Sequence, residues 1–225
     1  MRMNYVALMR EQSAESRLIE VAIEQFSNSG MSAVGTRAIA EAAGMQMSAI
    51  TYHFGGKEGL YLACARHIAK LMNERIAPLV QLGESRCAEG VGAVSARMAI
   101  LDFLGGLVTI MMRDDIAPWA RFVMREQMNP TPAFEILYEG VMQCILALLG
   151  ELIQRVAGGD MAAEEVRIRS MALVGQVLAF RFCRAALMYA TGWESVGIRE
   201  IEAVRTAVLA HTDAVLIALE RGASR

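Results

Sequence analysis

Residues 36–57, which read TRAIAEAAGMQMSAITYHFGGK, carry the pattern that decides the fold of the N-terminal part of this chain. Ile39 and Ile50 fall at helical spacing with neighbouring alanines, and Gly44 lies between them, where a left-handed glycine ends a first short helix. The small side chain of Ala40 allows a second helix to cross close above the first. We therefore predict two short helices, at about residues 36–44 and 48–54, that form a helix-turn-helix through a tight turn.

The second of these helices has a shape and a polarity that fit the DNA major groove. At or near its exposed N-terminal face it presents Gln46, Met47, Ser48, Thr51, Tyr52 and His53. Groups suited to phosphate lie around it: the Thr36 hydroxyl, which is placed to cap free helix amides, then Arg37, and Lys57, one of two lysines in the chain. The alternative is a plain helical hairpin in a core, but Tyr52, His53 and Lys57 are polar where a core helix is apolar.

Composition predicts a folded, all-α chain. Of the 225 residues, 55% are hydrophobic and 20% are charged, which excludes a disordered protein. No run shows the sustained alternation of a half-buried strand, and no apolar run reaches the roughly 18 residues of a membrane span. The net charge of −2 does not by itself predict a polyanionic partner. Four scattered cysteines without a C-x-x-C pair argue against a disulfide framework or a metal site and favour the cytoplasm.

Breaks in the helical pattern divide the chain into two units. We predict helices at about residues 13–28, 36–44, 48–54, 57–77, 94–112, 119–128, 132–156, 163–190 and 198–221, with the fourth ending at Pro78. The predicted organisation is an N-terminal arm at residues 1–12, a helix-turn-helix domain at 13–60 and a larger helical domain at 61–225. The fourth helix connects the two domains.

Three motifs in the first domain resemble the TetR family of transcriptional regulators. They are F-x-x-x-G from Phe26, T-R-x-I-A-x-x-A-G from Thr36, and A-I-x-Y-H-F-x-x-K-E-x-L-Y from Ala49. They lie in the expected order over about fifty residues. Further on, the segment Arg125-Glu126-Gln127 with Pro130-Thr131 and Ala133 resembles the C-terminal domain of the CecR (YbiH-like) branch.

This resemblance implies roles for residues at the matching positions. Phosphate contacts are expected from Thr36, Tyr52, His53 and Lys57, and contacts at or beside base edges from Arg37, Gln46, Met47, Ser48 and Thr51. Gly56 stands where the family often has Ser or Asn, so the cap of the following helix is expected to be weaker. The arm carries Arg2 and Arg10, and whether it reaches the minor groove stays open.

Aromatic and methionine side chains in the C-terminal helices suggest an apolar effector pocket. The candidate lining residues are Phe103, Met111, Trp119, Phe122, Phe134, Tyr138, Met142 and Phe180. Methionine fills irregular gaps and lines adaptable pockets, and such pockets lie between the helices of a bundle. The alternative, for any one of these residues, is ordinary core packing.

The last helix carries a candidate dimer seam. Ile201, Val204, Val208, His211, Val215 and Leu219 follow one another at spacings of three or four residues, as in a helix that packs along another helix. With the preceding helix it would form a two-fold, four-helix interface. The alternative is packing within a single chain.

Together these observations predict a homodimeric repressor that binds a palindromic double-stranded DNA operator. A small, mainly apolar effector would release it, and no cofactor or metal is expected. The competing classes are an enzyme and a helical adaptor without DNA binding. An enzyme needs converging titratable groups, and Arg121, Arg125 and Glu126 are the nearest candidates, whereas Ser48 with His53 and Cys64 with His67 lack the remaining partners.

Overall fold

The structure is a computed structural model that describes residues 14–88 and 92–223, and in these ranges it contains helices and no strand. The elements are α1 (Ala14–Ser29), α2 (Thr36–Ala42), α3 (Ser48–Phe54), α4 (Lys57–Ala88), α5 (Ala93–Met111), α6 (Ala117–Met128), α7 (Pro132–Leu137), α8 (Gln143–Val156), α9 (Ala163–Phe182), α10 (Arg184–Thr191) and α11 (Ile198–Ala223). The fold class is all-α, as the sequence predicts.

Helices α1–α3 form a small N-terminal unit on the first turns of α4. Leu18, Ala22 and Phe26 recur along one face of α1 and are fully buried, because this spacing places them on the side that faces α2 and α4. Helix α1 ends at Ser29, and the amide of the following Gly30 donates to the Phe26 carbonyl at 2.8 Å. Gly30 has a φ of +80°, a left-handed conformation that glycine adopts without strain. The predicted arm at residues 1–12 lies outside the described residues.

Helix α4 connects the two units and is longer than predicted. It continues through Pro78 to Ala88 instead of ending at Pro78. Close packing holds its second half: a Cβ placed on Gly83 would lie 2.8 Å from Leu148, and one on Gly106 of α5 would lie 2.5 Å from Leu79. These tertiary contacts outweigh the hydrogen bond that proline removes from the helix.

Helix α5 lies at the centre of the C-terminal unit, where it packs against α4, α8, α9 and α11. Along its length Ile100, Phe103, Leu104, Leu107 and Val108 are buried. By length and composition, α5 (Ala93–Met111) and the segment Pro132–Val156 are each apolar enough to cross a membrane, and the bent pair α9 and α10 is a third such element. In the structure, half of the α5 window is buried inside the protein.

Two long predicted helices are interrupted. The one at 132–156 contains a π-helical turn at Tyr138–Met142, where Gly140 allows close approach to Ala69 of α4. The one at 163–190 breaks at Cys183, and α9 and α10 meet at a bend of 69°. Arg181 and Arg184, on either side of this break, donate to the main chain at the end of α5, so the bend is fixed by tertiary hydrogen bonds.

Candidate nucleic-acid interface

The turn between α2 and α3 has the geometry of a helix-turn-helix. Gly44 has a φ of +68°, and the Met45 amide donates to the Ala40 carbonyl at 2.8 Å, which closes the end of α2. Ile39, Ala40 and Ile50 are buried, each with at most 1% of its surface exposed. The packing predicted from residues 36–57 is therefore confirmed.

Helix α3 buries one residue, Ile50, and leaves its remaining polar side chains to solvent. The predicted contact residues Gln46, Met47, Ser48, Thr51, Tyr52 and His53 are all exposed, with Tyr52 at 84%. The Tyr52 and His53 rings lie edge to face at 5.0 Å. This face is free to meet a partner, and the individual DNA contacts stay predictions.

The flanking candidates lie at helix starts beside this face. Thr36 is the first residue of α2 rather than its cap: Gly35 holds the cap position, and no side chain caps this end. Arg37 is exposed and forms an ion pair with Glu41 at 2.9 Å. An exposed pair of this kind stabilises the helix by about 0.3–0.5 kcal/mol. Breaking the pair so that Arg37 can contact a phosphate therefore costs little free energy. Lys57 opens α4, and its Nζ lies 3.4 Å from the Ser32 carbonyl oxygen, to which it donates.

Helix α6 holds the N-terminal unit against the rest of the protein through charged side chains. Arg125 donates to the Ser27 and Asn28 carbonyls at 2.9 and 2.6 Å, so a guanidinium caps the C-terminal end of α1. Arg121 forms an ion pair with Glu24 of α1 at 3.2 Å. Two of the three residues named as candidates for an enzyme's titratable groups, Arg121 and Arg125, are therefore engaged in fixing α1.

A buried carboxylate and an aromatic stack complete this junction. Glu126, which is 1% exposed, accepts from the Tyr61 hydroxyl at 2.6 Å and from the amide and hydroxyl of Thr131 at 3.0 and 2.9 Å. The Tyr61 ring stacks on Phe122 at 4.6 Å and meets Phe26 edge to face at 5.1 Å. Burial, followed by the hydrogen bond to Glu126, raises the pKa of the Tyr61 phenol, so it remains a donor. The sequence singled out Arg125 and Glu126 through the family resemblance and as candidate titratable groups of an enzyme, and it did not indicate this structural role.

The structure does not gather the eight candidate effector residues around one open cavity. Phe103, Met111 and Phe122 are buried in packed core, and Trp119, Phe134, Met142 and Phe180 are half-buried. Tyr138 is 38% exposed and stacks on Phe134 at 6.1 Å. A groove of about 180 Å³ between α8, α9 and α11 is lined by none of the eight. Their role in ligand binding stays a prediction.

The candidate dimer seam on α11 is divided between two faces, and one part of the prediction is corrected. Val204 and Val208 are 3% and 1% exposed in the single chain, so they belong to its own core and are not available to a partner. Ile201 and Leu219 are half-buried, whereas His211 and Val215 are exposed. Spacings of three and four residues indicate that a helix is packed, but not whether the partner is the same chain.

The solvent face of α11 carries small residues that the seam prediction missed. Ala203, Ala207, Ala210 and Ala214 are exposed, and they recur at spacings of three or four residues. Helix α9, which contacts α11, exposes Ile168 at 62% and Met171 at 54%. The exposed alanines, which recur along the helix beside the buried valines, are the signal that identifies this face.

The described residues hold no group of three or more His, Cys, Asp or Glu side chains that would suit a metal ion. Cys64, the candidate partner of His67, is buried with its Sγ 3.7 Å from the Ile19 carbonyl oxygen, and burial raises the pKa of its thiol. It is a core residue.

Two family models match the chain. The model for bacterial regulatory proteins of the tetR family matches residues 18–64, and the model for the C-terminal domain of the HTH-type transcriptional dual regulator CecR matches residues 96–219. The chain is 34% identical over 219 residues to the HTH-type transcriptional dual regulator CecR of Shigella flexneri, an alignment that covers 97% of this chain and 98% of that protein.

Solved structures share the fold at low identity. A TetR-like transcriptional regulator from Rhodococcus sp. RHA1 superposes with a TM-score of 0.60 at 16% identity, covering 91% of this chain and 96% of that one. AibR, solved in complex with isovaleryl coenzyme A and operator DNA, superposes with a TM-score of 0.62 at 14% identity, covering 88% and 97%. With the helix-turn-helix and the matches along nearly the whole chain, these relationships show that the chain belongs to the TetR family of DNA-binding transcriptional regulators, which are not enzymes, in the branch that carries the CecR C-terminal domain.

Proposed function

We propose that this protein is a homodimeric repressor that binds a palindromic operator through α3. The observation that carries the proposal is the exposed polar face of α3, which packs on α2 and α4 in the N-terminal unit. Thr36, Tyr52, His53 and Lys57 contact phosphates, and Arg37, Gln46, Met47, Ser48 and Thr51 lie at or beside base edges. Phosphate contacts position the protein and base contacts select the sequence.

The unit that binds DNA is a dimer formed by the outer faces of α9 and α11. A single seven-residue helix reads few base pairs, whereas two of them on a rigid dimer bind half-sites about 34–36 Å apart or a multiple of this. The exposed alanines of α11 allow a second copy to approach closely, and Ile168 and Met171 supply apolar area. His211 and Val215 of the original seam lie on this outer side, so they stay in the proposed interface.

A small ligand of the C-terminal unit releases the operator. The ligand must bind the state that does not bind DNA more tightly, and a difference of about 1–3 kcal/mol is enough for a 5–150-fold loss of operator affinity. AibR, whose structure holds isovaleryl coenzyme A together with operator DNA, supports a ligand site and a DNA site in one fold of this kind. Candidate ligand contacts are the eight residues predicted above, after local opening of the core around them.

We place the protein in the cytoplasm, with an N-terminal arm at 1–12, a DNA-binding domain at 13–60 and an effector and dimerisation domain at 61–225. The apolar helices α5 and α8 pack inside the bundle rather than in a bilayer. What supports this placement is the burial of their apolar faces and the family to which the chain belongs.

Selection of bound fragments from the source genome, with the purified full chain, tests the proposal. The expected result is enrichment of an inverted repeat whose half-sites lie one or more helical turns apart. A footprint that covers one unrepeated half-site would contradict the dimeric mode, and no enrichment over bulk DNA would contradict sequence-specific binding. Reporter transcription from the enriched fragment, with and without the protein, then decides between repression and activation.

A further inference from the structure

Five arginines converge where the C-terminal end of α5 meets α4, α6, α9 and α10. This arginine cluster consists of Arg75, Arg113, Arg121, Arg181 and Arg184. Asp114 pairs with Arg184 at 2.7 Å, and Asp115 pairs with Arg75 at 2.9 Å and Arg113 at 3.0 Å. Arg121 pairs with Glu24 at 3.2 Å. The cluster therefore has more guanidinium groups than carboxylates in a chain whose net charge is −2.

Arg181 is the buried member of the cluster. It is 9% exposed, and its Nη1 donates to the Arg113 carbonyl at 3.0 Å. In the described part of the chain no carboxylate forms an ion pair with it. Burial, and then the positive charge of Arg184, lowers the pKa of its guanidinium, while Asp114 and Asp115 act in the opposite direction. A mostly buried guanidinium that has one hydrogen bond and, within the described ranges, no ion pair of its own keeps its other donors available for an anion.

Capping of α5 explains only part of this arrangement. Arg184 also donates to the end of α5, at 3.2 Å from the Met112 carbonyl oxygen, and its charge is balanced by Asp114. An arginine has five N–H donors, and the contact with Arg113 uses one donor of Arg181. A second guanidinium, which forms no ion pair of its own among the described residues, is more than capping needs.

Arg75 provides an independent indication of an unfilled site. Its Nη2 binds Asp115, but its Nη1 is buried and has no acceptor among the described residues. Its guanidinium lies over the Trp119 ring, with 4.6 Å from Cζ to the ring centroid. Arg75 thus keeps donor capacity beside the Trp119 ring, one of the predicted effector-pocket residues, and Arg181 keeps unused donors in the same cluster.

We propose that the arginine cluster binds the anionic group of a small organic ligand, a carboxylate or a phosphate ester, with Arg181 and Arg75 as the donors. Both groups accept paired N–H donors from guanidinium, which fits their planar geometry. The Trp119 ring contacts the apolar body of the ligand. This inference rests on the proposed function and specifies its effector, which is an amphipathic anion rather than a neutral apolar compound.

Titration calorimetry of the full-length protein with octanoate, octyl phosphate and octan-1-ol tests the charge requirement. We expect at least one anion to bind about tenfold or more tightly than the alcohol, because charged hydrogen bonds to the ligand are lost with the neutral head group. The carboxylate and phosphate arms show which head group the cluster prefers. Equal affinity for all three compounds would overturn the proposal.

Variants locate the site. Arg181→Gln is expected to weaken binding of the preferred anion by about tenfold or more while leaving binding of octan-1-ol unchanged. Arg199→Gln is the matched control, because Arg199 has 84% of its side chain exposed, pairs with Glu200 and lies outside the cluster. Arg75→Gln gives a second test if Arg181→Gln does not keep the wild-type helical circular dichroism. Unchanged anion affinity in the folded variants would place the ligand elsewhere and overturn the proposal.

Operator binding, measured by fluorescence anisotropy on the fragment enriched by selection, separates this inference from the proposed function. Anion binding that lowers operator affinity in the wild type, but not in Arg181→Gln, supports an effector site. Anion binding that leaves operator affinity unchanged overturns the effector role of the cluster. Normal operator binding without anion binding overturns the cluster alone, and anion binding by a protein that selects no operator overturns the proposed DNA function alone.

Discussion

Helices α3 and α11 each leave one face to solvent, and the chemistry of the two faces is opposite. The face of α3 is polar, with a tyrosine, a histidine and hydroxyl groups, whereas α11 exposes a row of alanines and the contacting helix α9 exposes two large apolar residues. A polar face fits a hydrated, charged partner such as DNA. A small apolar face fits a second helix at close range. The two faces therefore need different partners, and substitutions on them are expected to fail in different ways.

The largest expected effect comes from a substitution on the buried face of α11. Val208→Asp places a carboxylate in the core and is expected to lower the free energy of unfolding by about 3–5 kcal/mol, because the buried charge has no partner. Urea denaturation followed by circular dichroism measures this loss. A folded monomer of wild-type stability would instead show that Val208 belongs to a dimer seam.

Ala210→Asp, two residues away on the exposed face, is expected to keep the fold and break the dimer. A charge on this face is solvated in the monomer, so its stability should change by less than about 0.5 kcal/mol. In the dimer the same charge is desolvated against a second copy. Sedimentation velocity should show monomers, together with weak binding to the palindromic fragment. If this variant remains dimeric at micromolar concentration, the interface lies on another surface.

Tyr61→Phe tests the junction that joins the two regions. Loss of the hydroxyl removes one of three hydrogen bonds to the buried Glu126, and we expect a loss of about 1.5–3 kcal/mol in stability. The ring stack with Phe122 is retained, so the effect reports the hydrogen bond. Thermal unfolding by calorimetry measures it. An unchanged unfolding temperature would mean that Glu126 is satisfied without Tyr61.

Lys57→Ala is expected to have the smallest effect, a loss of about tenfold or less in operator affinity with a salt-dependence slope reduced by about one. Lys70→Ala is the matched control, since Lys70 is the other lysine of the chain, lies on the same helix and is exposed. Fluorescence anisotropy at several salt concentrations measures the slope. Equal slopes for the two variants would remove Lys57 from the phosphate contacts.

The sequence predicted α3 well because the burial and exposure of its residues depend on contacts within the same short motif. Ile50 packs on residues of the same short motif. Tyr52 and His53 lie near the end of a seven-residue helix, where no core is available to bury them. The glycine turn at Gly44 is likewise determined by backbone chemistry within a few residues. The existence and type of most other helices also followed from periodicity alone.

The C-terminal unit was harder to predict because its contacts join distant residues. Arg75 and Asp115 are 40 positions apart, and Arg125 and Ser27 are 98 apart, so no spacing rule connects them. The apolar spacing of α11 was correctly recognised as a packing surface, but the same spacing suits a core and an interface. The continuation of α4 past Pro78 depends on packing against α5 and α8, which a proline does not reveal.

Pro78 has a mechanical consequence for the connection between the two units. Proline has no amide hydrogen, so the ladder of backbone hydrogen bonds along α4 lacks a rung one turn before it, at the Glu74 carbonyl. The segment 57–77 of α4 is continuous and about 31 Å long at 1.5 Å per residue, and it carries the helix-turn-helix. A tilt of α4 that begins C-terminal to Pro78 is partly absorbed by bending of the helix at the missing hydrogen bond. Helix α6 contacts α4 near the N-terminal end of α4, through Phe122 and Glu126 on Tyr61. A displacement of α6 therefore moves the helix-turn-helix directly.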